Sequence, residues 1–421
     1  MRFSAGRKRV TFCGMEKPSG KQPIKNLRDA YKLAGFRAQA KIDSYEHEPS
    51  ALVLTFDRRS KKTICSGCEK PCGHLYDKRW RRARDLSCGD REVYLDFQMR
   101  RVKCAACGVR NEKLAFLSRN TKYTLRFATQ IGGLCRAMTI TDVARLMHLD
   151  WHAVKDLDKI YMREQLRLAG PPKPRIIGVD EISIKKGHSY RIVVSDLEAR
   201  RAIWFGRTGR SRADMDLFFA FLGKNIRLAV MDMWKAFRNS THCHAPQAAI
   251  LFDKFHVVRH LSDALDVVRR SEYKRATGDD RGFIKGQRYV LLSRSENLTD
   301  YGRANLERLL HANARLNIAY LLREQFEQLW DYADAADMRG FFDAWRGQLR
   351  GQDLGAYEKF AAMVDKHWDG IAPYSQPTHK IPLGFVEGFN NKIRVLQRRA
   401  YGLRDEEYLK LKILTSGLSA L

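Results

Sequence analysis

The chain has 421 residues, enough for several domains and sizeable cores. Its formal charge of +29 points to a polyanionic partner, nucleic acid being the commonest. No apolar run approaches the ~20 residues of a membrane span, no apolar signal core follows the basic start, and nine cysteines over this length do not make a secreted disulfide scaffold. A cytoplasmic protein with a zinc site is the expectation.

Residues 1–50 read as a basic tail and lead-in, because 17–23 mixes lysine with proline, serine and glycine. Residues 51–118 read as a zinc ribbon. A strand at 51–56 feeds Cys65-x-x-Cys68, and Cys104-x-x-Cys107 follows an alternating strand at 92–97. Four soft thiolates on two knuckles suit one tetrahedral zinc ion, and a full ligand set leaves no open position, so the site is structural. Cys72, His74 and Cys88 are alternates. The linker between the pairs holds a basic run at 78–84. There Arg79, Trp80, Arg81 and Arg82 are suited to tracking phosphates and stacking on a base; a solvated charged edge is the other reading.

From 119 to 170 the period turns helical. Phe127, Ile131, Leu134 and Met138 share a face. A short helix with Val143, Ala144 and Leu146, a turn at 148–150, and a second helix offering Trp151, His152 and Lys155 make a helix-turn-helix pattern. Such pairs also serve as packing units. Pro171, Pro172 and Pro174 then mark a boundary.

Residues 171–260 read as the first part of a catalytic core. An isoleucine-rich strand at 175–184 carries Asp180, a costly residue to bury without a partner or metal. Strands at 190–196 and 201–205 follow, then a helix at 213–222. A strand at 226–232 ends in Asp232, and another at 248–253 ends in Asp253. This is the element order of a ribonuclease-H-like sheet. Right-handed crossover places the fourth strand beside the first and brings Asp180 towards Asp232. Glu181 faces the other way, and Asp253 reads first as a helix cap. Residues 261–376 read as an all-helical insertion domain, and 377–421 as closing helices of the core. The helix at 384–399 sets Glu387, Asn391, Arg394 and Arg398 on one face and Phe385, Phe389, Ile393 and Leu396 on another. The expected fold class is α/β: a ribonuclease-H-like mixed sheet interrupted by an all-helical insertion and preceded by a zinc ribbon and a helix-turn-helix.

Phosphodiester cleavage suits such acids, since two or three carboxylates hold a pair of magnesium (or manganese) ions about 3.5–4 Å apart. The ordered set of the two Cys-x-x-Cys pairs with 178–183, 230–234, 252–258 and 386–394 resembles the DDE transposases of the ISL-three group of bacterial insertion sequences. The resemblance implies Asp180, Asp232 and Glu387 as the metal-binding triad. It also implies a zinc ribbon and helix-turn-helix that read the inverted repeats of double-stranded DNA ends, with end cleavage and strand transfer by a homodimer or larger assembly. Arg394 and Arg398 would be further DNA contacts. Two other readings stay open: a DNA-binding regulator whose acids are structural, and a ribonuclease-H-like nuclease without strand transfer.

Overall fold

Apolar residues two apart along 52–56 and 93–99 give two strands an inward face each, and they set the first sheet. The computed structural model describes residues 30–45, 48–185, 189–206, 209–222, 225–293, 295–381, 384–400 and 405–421. The basic start expected as a tail therefore lies, up to residue 29, outside the described residues. The chain divides into two compact units, 1–170 with 399–421, and 171–398.

In the first unit β1 (Phe36–Tyr45) and β2 (Glu48–Arg58) pair antiparallel. The lead-in is thus strand, not tail, from Phe36, and a boundary at 50/51 falls inside β2. Phe36, Ala38, Ala40 and Ile42 alternate with Arg37, Gln39, Lys41 and Asp43 along β1, a period-two pattern that the sequence reading passed over, although most of the strand is exposed. β3 (Leu75–Cys88) and β4 (Arg91–Cys104) form a long hairpin, β2 runs parallel to β4, and β5 (Gly108–Asn111) closes on β4. Leu54, Phe56, Val93, Leu95 and Phe97 make its core. The run at 78–84 is not a linker: it lies on β3, an outer strand paired only with β4. α1 (Leu125–Ala137), α2 (Ile140–Leu146) and α3 (Trp151–Ala169) follow. Thr139 and Asp150 cap α2 and α3 at their N-termini, satisfying donors that the first turn leaves unpaired.

The second unit opens with β6 (Ile176–Lys185), β7 (Ser189–Asp196) and β8 (Arg201–Phe205), then α4 (Arg212–Leu222), β9 (Leu228–Met231), α5 (Lys235–His244) and β10 (Ala249–Phe252). The sheet order is β10-β9-β6-β7-β8, with β6, β9 and β10 parallel and the meander antiparallel. That is the ribonuclease-H-like arrangement. α6 (Lys254–Arg275), α7 (Gly278–Gly286), α8 (Arg288–Leu292), α9 (Asp300–Ala312), α10 (Ala314–Phe326), α11 (Ala335–Gly347) and α12 (Gly355–Lys366) form the helical insertion, and α13 (Gly384–Arg399) returns to the sheet. Phe326, Phe342, Trp345, Tyr357 and Phe360 fill the insertion, yet their cluster is continuous with the sheet core. Tyr374 Oη donates to Phe252 O at 2.9 Å, and Gly370 lies so close to the Phe252 ring that a Cβ there would sit 2.3 Å from it.

α14 (Glu406–Thr415) corrects the expectation that 377–421 stays with the catalytic core. It packs on α3. Tyr408 Oη donates to Asp158 at 2.5 Å, Lys412 pairs with Asp158 at 2.6 Å, and Lys155 and Lys159 each reach Asp405 at 2.8 Å. Among the described residues no helix is long and apolar enough to cross a membrane.

Candidate functional site

Register fixes the acids. Val179 pairs with Met231 across parallel β6 and β9, and Phe252 pairs with the same Met231 across β10 and β9. One residue further along, Asp180 in the middle of β6 stands beside Asp232 just past β9, and Asp232 beside Asp253 just past β10, each neighbour a strand spacing of about 4.8 Å away. Backbone amides hold each carboxylate by one oxygen: Glu181 N donates to Asp180 at 2.7 Å, Met233 N to Asp232 at 2.6 Å, and Phe255 N to Asp253 at 2.9 Å. Asp253 therefore does cap α6, as the sequence suggested, and it also extends the acid row.

The row is electrostatically costly. Burial pushes the Asp180 and Asp253 carboxyls above the usual carboxylate range. For Asp253 the negative charges of Asp232 and Glu387 add to the rise, which places Glu387 within electrostatic reach of the row. Glu181 is also raised by burial, although Arg210 at 2.7 Å opposes the rise. Among the described residues no lysine or arginine is paired with Asp180. His256 Nδ1 lies 3.8 Å from Asp253 and 4.0 Å from Asp232, buried without a hydrogen bond of its own.

α13 lies against this edge through Val386, Phe389, Asn390 and Ile393, all buried. Glu387, Asn391, Arg394 and Arg398 are exposed on its other side, and Arg394 bonds Asn391 at 3.1 Å. The sequence reading missed Asn390, whose amide donates to Asp180 Oδ2. Its signal was present: 386, 390 and 393 share a helix face, and a polar side chain on a buried face needs a partner. The carboxylates of Asp180, Asp232 and Glu387 do not all come within 4.8 Å of one another; among the described residues only four cysteines form such a group.

Close approach of α13 depends on Gly178, where a Cβ would sit 2.9 Å from Val386 Cγ2 and 3.0 Å from Leu197 Cδ2. Gly178→Val is expected to displace α13, and Asn390 with it, at a cost of about 1–3 kcal/mol. Thermal unfolding beside a cleavage assay checks this: both values fall together, whereas an unchanged melt would mean the helix tolerates the added bulk.

The four cysteines, Cys65, Cys68, Cys104 and Cys107, bring their sulfurs within 4.8 Å of one another, with Cys68 and Cys104 at 3.6 Å. A zinc tetrahedron with ~2.3 Å bonds has sulfur–sulfur edges of ~3.8 Å, so the set fits that ion. Backbone amides of Ala106 and Cys107 pull the Cys104 thiol down to about 7, while desolvation and neighbouring thiols push Cys107 up to about 12. Gly67 leaves room, since a Cβ there would meet Cys107 Sγ at 2.9 Å.

The expected DNA contacts divide. Trp80 is 59% exposed, Arg79 and Arg81 are exposed beside it, and Trp151 and His152 are exposed at the start of α3. Arg79 is paired with Asp77 at 3.3 Å and Arg82 with Asp96 at 2.6 Å. Lys155 is not offered outward as expected, because Asp405 of α14 holds it.

Comparison with known proteins follows the same division. A family profile described as transposase matches residues 177–413, and one described as the helix-turn-helix domain of transposase family ISL3 matches 112–159. The transposase for insertion sequence element IS1001 of Bordetella parapertussis is 35% identical over 381 residues, 89% of this chain and 93% of that protein. The transposase for IS1557 of Mycobacterium tuberculosis, strains CDC 1551 / Oshkosh and H37Rv, is 28% identical across 92% of this chain and 94% of its own. The first profile spans the acid row and α13, the second spans α1, α2 and the start of α3, and together with these relatives they establish that the chain belongs to the ISL3 family of transposases.

Proposed function

We propose that this transposase binds the inverted repeats at its element's DNA ends through the first unit, and cuts and joins DNA at the Asp180–Asp232–Glu387 edge of the second. The observation that carries the chemistry is the register that sets Asp180 within β6 beside Asp232 at the end of parallel β9, with α13 against them. Neighbouring, mutually repelling carboxylates, with no lysine or arginine paired to Asp180 among the described residues, suit a pair of divalent cations, magnesium or manganese. Those ions, when bound, neutralise charge on the phosphate and favour ionised oxygen at the attacking and leaving positions.

The chain's own groups set the geometry. The Glu181 and Met233 amides fix one oxygen each of Asp180 and Asp232, and Asn390 aims the second oxygen of Asp180. Glu387 completes the triad from the first turn of α13. Hydrolysis splits a P–O3′ bond: water gives its hydroxyl to phosphorus and a proton to the 3′ oxygen. The freed 3′ hydroxyl then attacks a target phosphorus, and its proton passes to the 3′ oxygen displaced there. Zinc on Cys65, Cys68, Cys104 and Cys107 would brace the knuckles beside the hairpin bearing Arg79, Trp80, Arg81 and Arg82. Trp151, His152 and Lys155 on α3, and Arg394 and Arg398 on α13, would supply further DNA contacts, with Lys155, Arg79 and Arg82 leaving their present acidic partners to do so. Two ends must be held together, so the working form is a homodimer or larger, acting at the cytoplasmic nucleoid.

Duplexes carrying the element's own ends, taken from the DNA flanking its gene, test this with magnesium. Asp232→Asn and Glu387→Gln are each expected to slow cleavage on the order of 10³-fold or more with end binding kept. Precleaved ends should join to target DNA; cleavage without joining would leave a nuclease, and binding without turnover a regulator.

A further inference from the structure

Two aromatic rings stand beside the acid row without being buried. Trp234 lies two residues beyond Asp232 and Phe255 two beyond Asp253, and they remain 42% and 44% exposed. Trp234 precedes α5 but makes no side-chain capping bond there, so capping does not explain it. Nor is its ring loose. Its Nε1–H donates to Arg210 O at 3.1 Å, and the Arg210 guanidinium lies 4.5 Å from its centroid and 4.7 Å from that of Tyr190. Glu181 at 2.7 Å fixes the guanidinium in turn. An indole held in place, backed by a cation and open to solvent, has the make-up of a surface for a flat π-system.

Its position says which one. A phosphodiester held at the acid row has nucleosides on either side, and their bases are the flat groups within reach. Within a duplex those faces are covered by neighbouring bases, so a ring stacks on one only where the step is opened. We propose that Trp234, backed by Arg210 and flanked by Phe255, stacks an unpaired nucleobase next to the bond being cut or joined. The inference rests on the proposed function, and it adds that the DNA end is opened by at least one base when engaged.

The full-length protein is tested with two duplexes of the element's end sequence, in calcium to hold back cleavage. One is fully paired. The other has unpaired terminal bases, one of them 2-aminopurine. The wild type should bind the opened duplex on the order of tenfold more tightly, the scale of one stacked base, and quench the 2-aminopurine. Trp234→Ala should lose both the preference and the quenching. Trp234→Phe, which keeps a ring, should retain most of both and guards against a folding defect in the alanine variant. Equal affinity of the wild type for the two duplexes, or a preference surviving in Trp234→Ala, would overturn the proposal. Cleavage of paired ends in magnesium is read separately: cleavage by a wild type lacking the preference removes only the stacking surface, and its absence bears on the catalytic assignment instead.

Discussion

Asp180→Asn is expected to raise the melting temperature of the metal-free protein while abolishing DNA cleavage. Asp180 is largely buried on β6, and burial holds its carboxyl above the ordinary 3.8. The fold therefore prefers the protonated acid. That favourable contribution is present below the unfolded value and is lost as pH rises through the folded one, so at neutral pH the ionised group is a standing cost. Asparagine removes the charge and keeps the shape. Its Oδ1 still accepts from Glu181 N, and Asn390 can rotate its amide to offer oxygen instead of nitrogen. A gain of about 1 kcal/mol corresponds to roughly 2–4 °C in a protein domain of this size. Manganese should reverse the order, raising the melt of the wild type and not of the variant, by binding only the folded form that keeps its ligands. Scanning calorimetry at neutral pH, with and without manganese, reads both. A variant that melts lower than wild type in both conditions would mean that Asp180 is a structural acid.

Removing zinc should abolish end recognition and spare the catalytic sheet. Cys104 terminates β4, and Cys107 precedes Gly108, whose φ of +72° closes the turn into β5. Cys65 and Cys68 sit on the loop between β2 and β3, so one ion held by the four thiolates would tie that loop to the β4–β5 turn. The nearby strands keep their own apolar core. The loss is therefore local: the knuckles and the end of the hairpin fray. Zinc sites of this kind contribute on the order of 10 kcal/mol to the segments they close. The expected results are one zinc per chain by elemental analysis, none in Cys104→Ser, and end binding weakened at least about tenfold in that variant. Magnesium-dependent nicking of non-specific DNA should persist. Full end binding after chelation would show that the cysteines cluster without a bracing role.

The strands that carry the acids were legible as apolar runs, β6 interrupted by Asp180 and β9 and β10 each followed by an aspartate, and parallel pairing leaves little freedom over where those positions meet. The knuckles were legible from spacing alone. Three features were not. β1 alternates from Phe36 to Asp43, but two of its four apolar positions are alanines and most of the strand is exposed, so the pattern is weak beside the basic start. The sequence of α14 shows a helix but not which partner covers it, and Lys155 of α3, read as a DNA contact, turns out to be held together with Lys159 by Asp405. Asn390 was hidden for a different reason. Helical spacing drew attention to the outward face bearing Glu387, whereas the side chain that touches Asp180 comes from the inward one. The helical insertion was recognised as helical, but its sharing of a core with the sheet depends on Phe252, Gly370 and Tyr374, contacts with no local signature.

The reach of Glu387 decides most. It is the most distant of the three acids in sequence and the exposed one, its charge reaches Asp253, and the three carboxylates do not all come within 4.8 Å of one another. Manganese titration of zinc-loaded protein, with free ion followed by electron paramagnetic resonance, tests it most directly. Saturable binding by the wild type, weakened at least about tenfold in both Asp180→Asn and Glu387→Gln, is the expected result. Manganese binding that Asp180→Asn weakens and Glu387→Gln leaves untouched would contradict the triad and place the ions on the aspartate row alone.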